Sequence, residues 1–239
     1  MTSSTRQAFS VASPALARSV TGEVWAADGL EPSTAAPLLV VHDGPSYDTE
    51  GDLTGYLQRR IDTGAVPPLR AALLAATLRD QWFSANPAYA SALADDVVPG
   101  LVAQWPTTRT VGVGASLGAL AWLHAQSSYP DVVDGMFLQS GSYFRPETDP
   151  QESGFSEFPA IVRFVASVRR AHRTTRPVPT VLTCGRDEEN LANNRRMARV
   201  LLRLGYPVRF AVVAGGHDYR SWRAAFDPHL ADLVRAAIR

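Results

Sequence analysis

The chain has 239 residues, the size of one large α/β domain, and 46% of them are hydrophobic, which supplies a core and excludes a disordered chain. Lys plus Arg and Asp plus Glu both count 23, so the formal net charge is zero and nothing global draws nucleic acid or an anionic membrane. The single cysteine, Cys184, excludes an intrachain disulfide and fits a reducing compartment.

Met1–Val20 is rich in Ser, Thr and Ala and lacks the apolar centre of a secretion signal. Residues 1–18 are expected to form a flexible N-terminal segment of a single domain spanning 1–239. No apolar run approaches the ~20 residues of a membrane span, so a cytoplasmic location is expected.

Apolar runs of strand length then alternate with segments of helical period. Val20–Trp25 reads as an opening strand. Pro37–Val41 is a short continuous apolar run, as in a strand buried on both faces. Asp43–Gly51 reads as turn, Leu53–Ile61 as helix and Leu69–Ala75 as strand. Asn86 as N-cap and Pro87 at the first helical position open a helix to about Val98, before Pro99-Gly100. The order continues with strand Thr110–Val113, helix Leu117–Ser128, strand Val133–Gln139 and loop Ser140–Ser156. Helix Phe158–Arg170, strand Thr180–Cys184, helix Glu189–Leu204, strand Val208–Val213 and a final helix over Trp222–Ile238 complete it. This βα repeat predicts a mainly parallel sheet with helices on both faces.

The sharpest local signal is Gly114-Ala115-Ser116-Leu117-Gly118, a G-x-S-x-G between a predicted strand and a predicted apolar helix. Such a turn strains the serine and lifts its hydroxyl above the sheet. Glycines flank it because side chains there would collide with the neighbouring strand and helix. The Leu117 N–H, at the helix N-terminus, favours a developing oxyanion. A glycine-rich structural turn is the bland alternative. A dinucleotide loop built on Gly112, Gly114 and Gly118 is disfavoured, because Asp134 precedes the next strand instead of ending it.

A serine nucleophile of this kind needs a base and an acid later in the chain. His217, in Gly215-Gly216-His217-Asp218, follows the last predicted strand, at the edge where open α/β sheets place their sites. His172 lies among arginines and His229 within the last helical segment. His124 is expected to be packed in the elbow helix, and His42 closes an apolar strand. The acid belongs to Asp187-Glu188-Glu189, after the strand that ends near Gly185. Glu189 best suits a helix start, and spacing alone does not separate Asp187 from Glu188.

Taken together, Val40–Gly44, Arg79-Asp80 with Asn86 and Tyr89, the elbow, Gln139-Ser140-Gly141-Ser142-Tyr143, and His217-Asp218 with Trp222-Arg223 resemble the putative esterase family of α/β-hydrolases. That family includes esterase D, feruloyl esterases, mycolyltransferases and enterochelin-type siderophore esterases. The resemblance runs from about Pro37 to the C-terminus and is closest to the enterochelin-esterase-like branch. It implies a single-domain α/β-hydrolase fold and a serine esterase acting on a small-molecule ester through an acyl-enzyme, without metal or organic cofactor. It also implies Glu188 as the acid, with Asp187 second, and backbone near Gly44 as the other oxyanion donor. Pro45 has no N–H to offer there. Asp43, Tyr47, Tyr143 and Trp222 are the expected substrate-binding residues. An acyltransferase using the same acyl-enzyme, and a binding protein that kept the fold, are the alternatives.

Overall fold

The computed structural model describes residues 5–237. Eight strands form one sheet: β1 (Thr5–Ser13), β2 (Arg18–Ala26), β3 (Ala36–Val41), β4 (Arg70–Leu74), β5 (Thr107–Ala115), β6 (Gly135–Gln139), β7 (Thr180–Gly185) and β8 (Val208–Val213). Their spatial order is β1-β2-β4-β3-β5-β6-β7-β8. β1 and β2 are antiparallel, as are β2 and β4, and every other pairing is parallel. Every residue of β3, β4, β6 and β7 is buried, as parallel strands covered on both faces require. The mainly parallel sheet read from the βα repeat is therefore the one that forms.

Two apolar layers cover it. On one face lie α3 (Arg79–Phe83), α4 (Pro87–Ser91), α5 (Val98–Gln104), α6 (Leu117–Ser128), α7 (Phe158–Arg170) and α8 (Leu191–Arg203). On the other lie α1 (Gly44–Thr49), α2 (Leu53–Asp62), α9 (Tyr219–Ala224) and α10 (Ala231–Ala237). Helix α6 is apolar nearly all round and is buried along most of its length, as expected of a central helix.

Four sequence expectations are corrected. The first strand lies within the segment expected to be flexible: Thr5–Ser13 pairs with β2 along its whole length, and Phe9 is buried against Trp105. Most of its residues face solvent, the composition an outer strand tolerates. Asp43–Gly51, expected as turn, contains α1, because Pro45 sits in the first helical turn, where a missing N–H costs nothing. Pro99 likewise opens α5 instead of stopping the preceding helix, and a wide turn over Ala92–Val97 joins α4 to α5. The final helix is two, α9 and α10, separated by a turn at Phe226–Leu230 with extended backbone at Asp227. Ile238, the predicted end of that helix, lies outside the described residues.

Candidate active site

Strand β5 delivers Ser116 to the carboxyl edge of the sheet. Its backbone (φ 55°, ψ −122°) is a sparsely populated conformation for a residue with a side chain. Three hydrogen bonds hold it there. Ser116 N–H donates to the Gln139 carbonyl at 2.9 Å, and the Ser116 carbonyl accepts from Ser142 N–H and Leu120 N–H at 3.2 Å each. The elbow's glycines are required by space: a Cβ at Gly114 would stand 2.5 Å from the Gly118 carbonyl carbon, and one at Gly118 would stand 3.0 Å from His42 Cβ. Leu117 is the first residue of α6, so its N–H has no acceptor within the helix.

His217 lies past the end of β8, and Glu188 lies past the end of β7. His217 Nδ1 is 2.8 Å from Glu188 Oε2. The Glu188 side chain is only 1% exposed, while that of His217 is 41% exposed. The other carboxylate oxygen, Oε1, accepts from Gly185 N–H and from Ser140 Oγ, both at 2.6 Å. Both of its neighbours, Asp187 and Glu189, are exposed. The geometry therefore separates the three acids where spacing did not: Glu188 alone among them bonds to His217.

Ser116 and His217 line one cleft of about 270 Å³ with Ser142, Phe144, Glu152, Glu188, Glu189 and Asn190. Ser142 Oγ is 3.2 Å from Ser116 Oγ. Glu152 and Asn190 were not singled out from sequence, and Ser142 only as a member of a motif. The Gln-Ser-Gly-Ser-Tyr run was the signal that Ser142 is close. Two larger hollows, of about 360 and 470 Å³, flank His124 and Phe164 and contain none of the predicted catalytic residues.

The loop after β6 is tied down by α8. Asn194 bonds Gly141 twice, accepting from its N–H at 2.9 Å and donating to its carbonyl at 3.0 Å. Asn193 Nδ2 donates to Asp149 Oδ1 at 2.7 Å, and Asp149 Oδ2 accepts from Arg145 N–H at 2.7 Å.

The expected substrate-binding residues, Asp43, Tyr47, Tyr143 and Trp222, are not among those that line this cleft. Tyr47 is fully buried, and its hydroxyl donates to Gln139 Oε1 at 3.0 Å. Tyr143 is 1% exposed, its ring pressed over Gly141, where a Cβ would meet Tyr143 Cζ at 2.3 Å. Trp222 is buried edge-on to His217, with ring centroids 5.1 Å apart, and its Nε1–H donates to Ser140 Oγ at 3.0 Å. Asp43 spends its carboxylate on Arg79, whose Nε lies 3.0 and 2.9 Å from the two oxygens. Burial raises the Asp43 pKa in spite of that ion pair. The three aromatics are thus core residues, and Asp43 is a half-buried ion-pair partner of Arg79. Gly44 is buried at the start of α1 after left-handed Asp43 (φ 51°), and a Cβ there would lie 2.3 Å from Leu73 Cα.

The remaining histidines separate by burial. His42 is fully buried, and desolvation lowers its pKa to about 3. His124 stands edge-on to Phe164 at 4.8 Å, and burial lowers its pKa to about 4. His172 is exposed, just past α7. His229 sits in the turn between α9 and α10, its pKa lowered first by desolvation and then by Arg209. Cys184 is a buried free thiol. Among the described residues, no three His, Cys, Asp or Glu side chains gather as metal ligands, and no helix is long and apolar enough to cross a membrane.

The sequence profile of the family described as Putative esterase matches residues 13–233. An iron(III) enterobactin esterase from Dickeya dadantii (strain 3937) is 30% identical over 199 residues, 78% of this chain and 45% of that protein. The chain thus spans less than half the length of this relative. Among solved structures, a ferulic acid esterase superposes with a TM-score of 0.78 at 17% identity, covering 98% of this chain and 99% of that one. The enterobactin esterase of Shigella flexneri, solved in the presence of enterobactin, superposes with a TM-score of 0.79 at 22% identity, covering 99% of this chain and 60% of that one. At these identities the structural likeness speaks for the fold, which is that of the α/β-hydrolases.

Proposed function

This chain belongs to the Putative esterase family, and from that premise we propose that it hydrolyses a carboxylic ester with Ser116 as nucleophile, His217 as base and Glu188 as the acid that orients it. One observation carries the reading. A buried carboxylate is bonded to Nδ1 of a half-exposed histidine, in the same cleft as a serine on a strained strand-to-helix turn. A carboxylate only accepts hydrogen bonds, so the Nδ1 facing Glu188 carries the proton. That leaves the Nε2 lone pair free for the Ser116 hydroxyl proton.

The chemistry is two acyl transfers. Ser116 Oγ attacks the ester carbonyl carbon as its proton passes to His217 Nε2. Charge collects on the carbonyl oxygen, where Leu117 N–H and a backbone donor near Gly44 stabilise it, each by about 3 kcal/mol. Collapse of the intermediate breaks the ester C–O bond, and His217 returns the proton to the departing alcohol. Water then attacks the acyl-enzyme, giving up a proton to His217, and Ser116 is released with the carboxylic acid. Glu188 accepts the His217 Nδ1–H bond and stabilises the imidazolium that forms twice per cycle.

The cleft of about 270 Å³ is at the small end of ligand sites, which suits a small acyl group. Cleavage of a ferric siderophore is not carried over from the Dickeya relative, because this chain covers 45% of it.

The test is intact mass after incubation with a fluorophosphonate, on wild type and Ser116→Ala, followed by a panel of p-nitrophenyl esters. A single adduct on wild type that is lost in the variant is expected. An unlabelled, well-folded wild-type protein overturns the mechanism.

A further inference from the structure

Two features of the sequence have no part in the chemistry above: Ser140, in the Gln-Ser-Gly-Ser-Tyr run after β6, and Trp222, in α9. They are 82 residues apart in the chain, and the fold bonds them to each other: Trp222 Nε1 lies 3.0 Å from Ser140 Oγ. Ser140 Oγ in turn lies 2.6 Å from Glu188 Oε1.

The direction of each proton follows from the groups themselves. An indole N–H only donates and a carboxylate only accepts. The hydroxyl between them must take its bond from Trp222 and give its proton to Glu188. Gly185 N–H supplies a second donor to the same oxygen at 2.6 Å. Oε1 is thereby engaged from two sides, and Oε2 is the oxygen left for His217.

Trp222 is itself held. Its backbone carbonyl accepts from Gln139 Nε2 at 2.9 Å, and Gln139 Oε1 accepts from the Tyr47 hydroxyl at 3.0 Å. Tyr47, Gln139 and Ser140 are fully buried, and Trp222 nearly so. The result is one line of bonds from Tyr47 through Gln139, Trp222, Ser140 and Glu188 to His217. The Trp222 ring also stands edge-on to the His217 ring, at 83°. Ser140 occupies this place with φ 50°, a left-handed conformation that glycine adopts without strain and serine does not. A glycine there would relieve the backbone and lose the hydroxyl.

We propose that Ser140 and Trp222 are positioning residues, which together turn the Glu188 carboxylate so that one oxygen is presented to His217. The inference rests on the reading of Ser116, His217 and Glu188 as the catalytic set. It gives the two motifs a single physical purpose: the loop after β6 and the helix after β8 meet at the acid.

The experiment compares wild type, Ser140→Gly, Trp222→Phe, the double variant and Ser116→Ala. Each is assayed for kcat and KM on p-nitrophenyl acetate and for thermal unfolding. Ser140→Gly relieves the left-handed backbone but leaves the buried Trp222 N–H without its acceptor, so it should stay folded with a melting temperature only a few degrees lower, and should lose about ten- to a hundredfold in kcat. That is the range seen for groups that orient ligating histidines. Its KM should stay within about twofold, because substrate binding is not what the hydroxyl serves. Trp222→Phe keeps a six-membered aromatic ring but removes the donor and the packing of the second ring, so it should show the same kind of kcat loss with a lower melting temperature. The double variant should fall no further than the worse single one, because both changes cut one line of bonds. A kcat for Ser140→Gly within about twofold of wild type overturns the inference, as do losses that multiply in the double variant. Should Ser140→Gly fail to fold, Trp222→Phe alone decides, by its kcat against its KM. Ser116→Ala keeps two failures apart. If it remains active, the serine reading falls and this inference with it. If it is dead while both singles are unimpaired, only this inference falls.

Discussion

The rings of His42, just past β3, and Trp122, in α6, lie face to face, with centroids 4.7 Å apart and planes 26° from parallel. His42 Nδ1 is 3.0 Å from the Gly118 carbonyl, which only accepts, so His42 is the neutral Nδ1–H tautomer. Desolvation, helped by the Arg79 charge and opposed by the Gly118 bond, takes its pKa from 6.5 to about 3. A histidine lowered in this way is protonated in the unfolded chain before the folded one. Its contribution to stability is complete above pH 6.5 and is lost as pH falls toward 3. Chemical denaturation between pH 3 and 7 should show stability falling on the acid side by several kcal/mol, with His124 adding to it between 6.5 and about 4. The His42→Asn variant should be less stable at pH 7 and less sensitive to acid. An unchanged acid slope in that variant would assign the acid sensitivity to other groups.

Replacing Glu188 by Gln removes the charge that holds His217 and should lower kcat by about 10³- to 10⁴-fold with KM little changed. Asp187→Asn and Glu189→Gln, both at exposed positions, should stay within about threefold of wild type. Steady-state kinetics on one activated ester decides among the three acids. Equal losses at positions 187 and 188 would contradict the assignment.

Asn194 answers both backbone groups of Gly141 in a fully buried position. Asn194→Ala leaves the buried Gly141 N–H without a partner, while the Gly141 carbonyl keeps its bond from Tyr143 N–H, which should cost about 1–3 kcal/mol. Because Ser142 and Phe144 follow on the same loop, ester hydrolysis should decline in the native protein as well. Urea unfolding and the KM measured well below the transition would separate the two effects.

Phe9 tests whether β1 is integral to the fold. It is 6% exposed and meets Trp105 edge-on at 6.3 Å. Phe9→Ala should destabilise by about 2–4 kcal/mol, near the lower end of large-to-small core changes because the strand is at the sheet's margin. A melting temperature within a degree of wild type would mean that the strand contributes nothing.

Much of the architecture was legible because buried parallel strands write themselves as unbroken apolar runs. β8 was read with its true limits, and β3 and β7 to within a residue. β1 was hidden by its own position: an outer strand paired on one side keeps Thr, Arg, Gln and Ser toward solvent and looks like a polar tail. Ser116 and His217 were legible because each sits between a recognisable strand and a recognisable turn. Glu188 needed the family resemblance, and then the coordinates, because three adjacent acids differ only in which one the chain folds inward. The burial of Tyr47, Tyr143 and Trp222 was not legible for a related reason. Sequence marks an aromatic near a motif but does not tell which side of it faces the cleft. That depends on Gln139, Gly141 and Ser140, residues far from Tyr47 and Trp222 in the chain.

The order of β5, β7 and β8 along the chain has a consequence for synthesis. Translation completes the elbow with Ser116 long before it supplies Glu188, and His217 comes later still, after the last strand. A nascent or truncated chain therefore carries a serine with no base to activate it. On the proposed mechanism the protein remains chemically silent until its final strand docks, so premature release from the ribosome yields an inert fragment, not a promiscuous hydrolase.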